Sequence, residues 1–200
     1  MRGASRPKAQ ALALTGKLVS LPSNWRRSAW LLVGSACLGF AAQASTDQVC
    51  DKEGVKTSSP IDRFVNEDDG TAVDQLTQLM WMRCAMGQSW TGKSCQGNAV
   101  RLSWQDSTSA ATKLNQSGSH FYNDWRVPSL RELATVAERQ CLGPRINLQI
   151  FPGTPAAGFW TGTPSLQDKG QAYSLDFNQG GIRQASQDSA MHVRLVRTAP

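Results

Sequence analysis

The stretch Trp125-Arg126-Val127-Pro128-Ser129-Leu130-Arg131-Glu132-Leu133 marks a junction that local chemistry alone defines. Pro128 fixes its own φ near about −65° and pushes Val127 toward extended backbone. Ser129 with Glu132 three residues later forms a capping box, in which each side chain satisfies an orphan amide at a helix start. An extended entry therefore turns into a helix, and Leu130, Leu133, Ala134 and Ala137 share one face of it at three-and-four spacing. Trp125 is expected to fill core volume, and Arg126 to satisfy nearby carboxylates or carbonyls.

Working toward the N-terminus, Ser103 with Asp106 reads as a second, weaker helix start, with Trp104, Thr108, Ala111 and Leu114 on the buried face. Arg63-Phe64-Val65 and Thr71-Ala72-Val73 flank the Asp/Gly turn Asn66-Glu67-Asp68-Asp69-Gly70 and predict a hairpin. Leu79-Met80-Trp81-Met82 predicts a third, buried strand. Toward the C-terminus, strands are predicted over 158–163, 172–177, 182–185 and 191–197, with Asn178-Gln179-Gly180-Gly181 as the turn of the central hairpin. Tyr173, Leu175 and Phe177 alternate with Ala172, Ser174 and Asp176, the pattern of a half-buried strand. Trp81 and Trp160 read as core. Helices in the middle and strands at both ends give an α+β expectation: two amphipathic helices packed with short antiparallel strands.

The net charge of +6 lies in the first 44 residues, where Arg2, Arg6, Lys8, Lys17, Arg26 and Arg27 stand with no Asp or Glu. The other 156 residues carry 15 basic and 15 acidic side chains, so they lack the basic surplus on which phosphate-backbone binding depends. No nucleic-acid partner is expected. Arg26-Arg27 precede the apolar run from Ala29 to Ala42, which ends in Ala42-Gln43-Ala44, the small-x-small pattern of a secretory cleavage site. The run is too short and too interrupted by Gly34, Ser35 and Gly39 for a membrane span. Residues 1–44 are thus expected to be a signal peptide with an extended n-region, leaving no membrane anchor after cleavage. Residues 45–60 read as a polar linker and 61–198 as the domain, in the periplasm or secreted.

Four cysteines follow the leader, and an even count in an exported chain implies two disulfides. Three pairings are possible. The glycine-punctuated loop between Cys84 and Cys95 favours closing that pair, which leaves Cys50 with Cys141. Chain entropy would then give about 3 kcal/mol for the short loop and nearer about 5 for the long one, as upper values.

Arg63-Phe64, Asp69-Gly70-Thr71-Ala72-Val73-Asp74, Leu79-Met80-Trp81, the block from Asp124 to Leu133, Ile150-Phe151-Pro152, Phe159-Trp160-Thr161-Gly162-Thr163 and Val193-Arg194-Leu195-Val196-Arg197 together resemble the Lcl C-terminal domain, found in bacteria at the end of a collagen-like adhesin. The Trp-Arg-Val-Pro-Ser block is also similar to the helix start of formylglycine-generating-enzyme-like and C-type-lectin-like domains. The resemblance implies a C-type-lectin-like fold outside the cytoplasm and a role in glycan binding or adhesion. The chain has no collagen stalk, so the avidity of a trimer does not carry over. Its balanced charge also removes the broadly basic surface that sulfated glycans favour.

Trp90, within the loop between Cys84 and Cys95, is the candidate sugar-stacking residue, with Gln88, Lys93 and Asn98 as polar neighbours. The alternative is that Trp90 folds back over the disulfide. The 66–70 turn lacks the ligand spacing of a calcium loop, so no metal is expected. His120 and His192 belong to no nucleophile and base constellation, and neither an enzyme nor a cofactor is expected. Arg183, Arg194 and Arg197 are expected to pair across strands with Asp176 or Asp188 rather than to form an anion patch. The expected role is a non-catalytic binding module for a glycan or surface ligand. The alternative is an assembly partner of another envelope protein, with the oligomeric state left open.

Overall fold

The computed structural model describes residues 48–51, 53–118 and 121–200. The signal-peptide reading of residues 1–44 and His120 lie outside these residues. Among them the chain forms eleven strands in four sheets, two α-helices and one short 3-10 helix, Ile61–Arg63. A four-stranded antiparallel sheet has the order β11-β4-β3-β2, built from Val196–Thr198, Leu79–Met82, Thr71–Asp74 and Phe64–Asn66. A three-stranded sheet has the order β10-β9-β8, built from Ile182–Ser186, Gln171–Asp176 and Gly158–Pro164. Two short ribbons complete the set, β1 (Val49–Cys50) with β7 (Cys141–Leu142) and β5 (Ser89–Trp90) with β6 (Cys95–Gln96).

This architecture corrects the α+β, C-type-lectin-like expectation of two amphipathic helices packed with strands. The protein is mostly β, and its core is built from strand residues together with loop residues such as Trp125, Ile150, Phe151 and Leu195 rather than from the helices. In β4, Leu79 and Trp81 enter one apolar cluster while Met80 enters the other. Phe159 and Trp160 in β8 divide in the same way, as do Leu175 and Ala172 in β9. A strand buried on both faces needs apolar residues at successive positions rather than at alternate ones. This overturns the half-buried reading of β9, in which Ala172, Ser174 and Leu175 are all buried, as is Phe177 just past its end.

The helices add little to either cluster. The first, α1 (Trp104–Ser117), is capped by Ser103, whose side chain accepts from the Asp106 amide, and it ends at Gly118 in the left-handed conformation. Trp104, Ala111 and Leu114 pack inward as expected, while Ser107 is buried in place of Thr108, which faces solvent. The second, α2 (Leu130–Thr135), has the full capping box but only six residues. Its expected stripe is cut short: Leu133 is buried, Ala134 is exposed, and Ala137 lies beyond the helix in an isolated bridge with Ile146. The carboxylate of Glu138 turns back to accept from the Ser59 amide at 2.9 Å, and the next residues lead into Cys141. Tertiary partners here outweigh helical propensity.

The hairpin of β2 and β3 forms as the Asp/Gly turn implies, in the register Val65 with Val73. The hairpin of β9 and β10 turns at Asn178 to Gly181, with the Asp176 amide donating to the Gly181 carbonyl. The last predicted strand, 191–197, is regular only over Val196–Thr198, with Met191 and His192 held by isolated bridges. Both favoured disulfides are closed, Cys50 with Cys141 and Cys84 with Cys95. They are consistent with an extracytoplasmic location, since reducing compartments keep thiols open. The polar segment before residue 61 is docked: Gln48 donates to the Pro144 and Ile146 carbonyls, and Cys50 pairs in register with Cys141.

Candidate functional site

The four-stranded sheet, the loop closed by Cys84 and Cys95, and the end of α1 meet around a cavity of about 400 Å³. Its walls include Asp69 to Thr71, Met82, Cys84 to Trp90, Leu114 and Phe121, Tyr122 and Trp125. A second, more open cleft of about 600 Å³ shares Asp69, Phe121 and Tyr122 with it and adds Glu67, Asp68, Val73 and Met80. The two form adjoining parts of one groove with aromatic and methionine walls.

Trp125 is set by α1. The Asn115 side chain donates to the Trp125 carbonyl at 2.8 Å and accepts from its amide at 2.9 Å. Tyr122 meets the Trp125 ring edge-on at 6.2 Å between centroids, and the Arg197 guanidinium lies 4.0 Å from the Tyr122 ring centre while its Nε donates to Asp124 at 2.6 Å. Trp125 is 2% exposed, and its indole N–H has no acceptor among the described residues. Trp125 is therefore core, as expected, and also a wall of the cavity.

The other wall is built on Trp90. Its indole N–H donates to the Asp68 carbonyl at 3.2 Å, and the Arg83 guanidinium covers its ring at 4.1 Å. Gly70, with φ of +86°, lies so close that a Cβ there would sit 2.6 Å from the Trp90 ring. Gln88 also lines the cavity: it accepts from the Ala85 amide at 3.1 Å and donates to the Gly153 carbonyl at 3.0 Å. Lys93 and Asn98 are exposed and line neither cavity. Of the four candidate residues, the fold brings together Trp90 and Gln88 alone. Missed at the sequence level were Tyr122, Met82, Met86 and the second role of Trp125. They come from segments some 40 residues apart, and only the spacing of Tyr122 from Trp125 offered a local signal.

Two buried arginines, Arg83 and Arg194, have no carboxylate partner among the described residues. Arg83 donates to the Ile150 carbonyl at 2.9 Å and the Gln149 carbonyl at 3.0 Å. Arg194, wholly buried, donates to the Met82 and Arg83 carbonyls and to the Thr154 hydroxyl, and lies 4.7 Å from the Phe151 ring centre. Burial pushes its pKa down to about 9, still charged at neutral pH. Its expected cross-strand pairing is thus replaced by carbonyl contacts. Arg183 does pair with Asp176, at 3.3 Å, and Arg197 pairs with Asp124. His192 is buried against Phe159, with Nδ1 3.0 Å from the Val100 carbonyl, and burial lowers its pKa.

No curated protein matches the chain. The family model of the Lcl C-terminal domain matches residues 70–197, a span that holds most of the groove and reaches from the hairpin glycine to β11. The chain belongs to the Lcl C-terminal domain family.

Proposed function

We propose that this protein is an exported, non-catalytic binding module that recognises a glycan on a surface, working in the periplasm or after secretion. The observation that carries the reading is the groove lined by the partly exposed rings of Trp90 and Tyr122, with Gln88 beside them. Flat apolar rings with a few polar groups between them suit the C–H face and hydroxyls of a sugar ring. Gln88 and the backbone around the disulfide loop supply those polar groups. A binding role also fits the local chemistry, since the sulfur of Cys84 is tied into a disulfide and His192 is committed to a carbonyl and an aromatic neighbour.

The test is a glycan array probed with the secreted, disulfide-bonded protein, with and without calcium, followed by titration of any hit against Tyr122→Ala. The expected result is a defined glycan set whose affinity falls about tenfold or more in the variant, as loss of an aromatic anchor implies. Silence on every glycan up to about millimolar concentration, where weak sites still register, would sink the reading. Docking to another envelope protein is the second reading. It is favoured by β10, an edge strand whose residues are mostly exposed, including Ile182 at 56%. Cross-linking in cells to one dominant protein partner is its expected outcome.

A further inference from the structure

Strand β10 is the outer strand of its sheet, and its register fixes which backbone groups it leaves unpaired. The Asp176 amide donates to the Gly181 carbonyl at 3.0 Å and the Gln187 amide to the Gly170 carbonyl at 2.9 Å, one bond at each end of the β9–β10 ladder. Hydrogen-bonded and open pairs alternate along an antiparallel ladder. Arg183 and Ala185 therefore turn their amides and carbonyls toward β9, while Ile182, Gln184 and Ser186 turn theirs outward. No other described residue bonds these three outward amides. Edges of this kind are commonly blunted by proline, lysine or a bulge, and β10 has none of them. Its one charged residue, Arg183, is tied to Asp176.

The two ends of the strand carry opposite charge. Beside the first, Arg145 lies so close to Gly180 that a Cβ there would sit 2.7 Å from its Nη1, and Arg139 lines the same small cleft. Arg145 donates to the Gln179 and Arg139 carbonyls, and neither arginine has an ion pair among the described residues. At the other end, the turn after Ser186 presents the exposed carboxylate of Asp188, which is also without an ion pair among them. Asp168 and Lys169 stand beside that turn, where Gln187 donates to the Lys169 carbonyl, and their charges offset each other.

We infer that β10 pairs with β10 of a second copy of this chain, antiparallel and about a two-fold axis at Gln184. That register sets Gln184 against Gln184 and Ile182 against Ser186, so every outward residue of one strand meets an outward residue of the other. It places Arg183 opposite Ala185. An axis at residue 183 would set the two arginines face to face and lose one outward pair. Counted on in the same register, Asp188 of one copy comes level with Gly180 of the other, beside Arg145 and Arg139, and the two-fold axis repeats this match at the far end. Charge complementarity thus selects a second copy over an unrelated strand. The inference stands independently of the glycan reading and assigns β10 to self-association rather than to the docking of another envelope protein. Five paired residues make a small interface, so the dimer is weak, with a Kd of about 10–500 µM. Two grooves on one particle then gain avidity on a surface that repeats their ligand.

The test is sedimentation equilibrium of the secreted, disulfide-bonded protein from about 1 µM to about 1 mM, at about 50 and about 500 mM salt. The expected result is a monomer–dimer equilibrium whose Kd rises about threefold or more at the higher salt. Gln184→Pro removes the central outward amide and should weaken association about tenfold or more, with the β9 ladder kept because that amide does not face β9. Asp188→Arg alone and Arg139→Asp alone should each weaken it about threefold or more. The chain that carries both changes should regain the original affinity within about twofold, because the exchanged charges still meet across the axis. Loss of fold would not be reversed by the second change, so the charge swap decides even where Gln184→Pro disturbs the strand. A monomer over the whole range overturns the inference, and so does a trimer. Association that neither Gln184→Pro nor the charge reversals weaken runs through another surface and overturns it as well. Capture of β10 by a different envelope protein, with the purified chain monomeric, returns the strand to the docking reading. None of these outcomes depends on the glycan array, whose silence would leave the dimer standing.

Discussion

The guanidinium of Arg194 donates to the Met82 carbonyl at 2.8 Å, joining the segment before β11 to the end of β4 beneath the groove. The same side chain also satisfies the Arg83 carbonyl and the Thr154 hydroxyl, so one buried cation fixes the chain where β4 passes into the disulfide loop. Arg194→Met keeps most of the volume but strands these acceptors without water. Relief from burying a charge offsets part of that loss, because no carboxylate compensates Arg194 now. The expected net effect is a destabilisation of about 2–4 kcal/mol, read by urea unfolding. A neutral or stabilising result would show that the carbonyls find other donors.

Acid stability should run partly through the capping box. Paired hydrogen bonds from Arg126, at 2.7 and 2.8 Å, hold the Glu132 carboxyl down to about 2 against the opposing effect of burial, and the Ser129 amide adds a third at 2.7 Å. With the folded pKa below the unfolded one, the unfolded chain binds more protons between about pH 4.5 and 2, so this stabilisation is complete above that window and disappears as pH falls through it. The Arg126 side chain is 45% exposed, and solvent screening reduces what the pair contributes. Glu132→Gln is therefore expected to lose about 1–2 kcal/mol at neutral pH and almost nothing near pH 2. An equal loss at both ends of the scale would show that the carboxylate's charge is not what matters.

What could be read in the sequence, and what could not, follows the range of the interactions. The Ser103 cap, the Ser129 and Glu132 box, the 66–70 turn and the 178–181 turn are local, and each forms where its residues predict. The disulfide pairing was legible because the loop between Cys84 and Cys95 has little else to order it. The length of α2 was not, since its end is set by Glu138 reaching Ser58 and Ser59 about 80 residues away. The two-sided burial of β4, β8 and β9 shows only in the folded chain, whereas a helical stripe is visible in the sequence itself. Lys93 and Asn98 share a polar stretch with Gln88, but the ribbon of β5 and β6 turns them outward. The groove itself draws on residues 67–71, Met82, residues 84–90, Leu114, Phe121, Tyr122 and Trp125, which no local pattern connects.

The segment ahead of β2 should depend on one carboxylate. Burial raises the Glu138 pKa, but hydrogen bonds from the Gln140, Ser58 and Ser59 amides and the Ser58 hydroxyl outweigh it and leave the group lowered. Glu138→Ala unpairs the Ser59 amide, and Ser59 is wholly buried. A loss of about 2–3 kcal/mol is expected. Limited proteolysis with mass spectrometry should then find new cuts between residues 51 and 60, with the piece still tethered through Cys50 and Cys141. If cuts appear throughout the domain at once, the carboxylate supports the whole fold rather than this segment.

Gly70 offers a way to disturb the groove with little change elsewhere. Its φ of +86° suits glycine, and a Cβ would press to 2.6 Å from Trp90 Cγ, so Gly70→Ala must move the indole or the turn. The indole is the softer of the two, because it is partly exposed and its hydrogen bond to the Asp68 carbonyl is long at 3.2 Å. The variant should lose about 1–3 kcal/mol of stability. Trp90 would also leave the Arg83 guanidinium, and this shows as a changed near-ultraviolet circular dichroism spectrum. Ligand affinity should fall further than in a Leu76→Ala control, since Leu76 is 75% exposed and lines neither cavity of the groove. An unchanged aromatic spectrum together with lost stability would mean that the turn gives way instead, and that Trp90 holds its place by its own contacts.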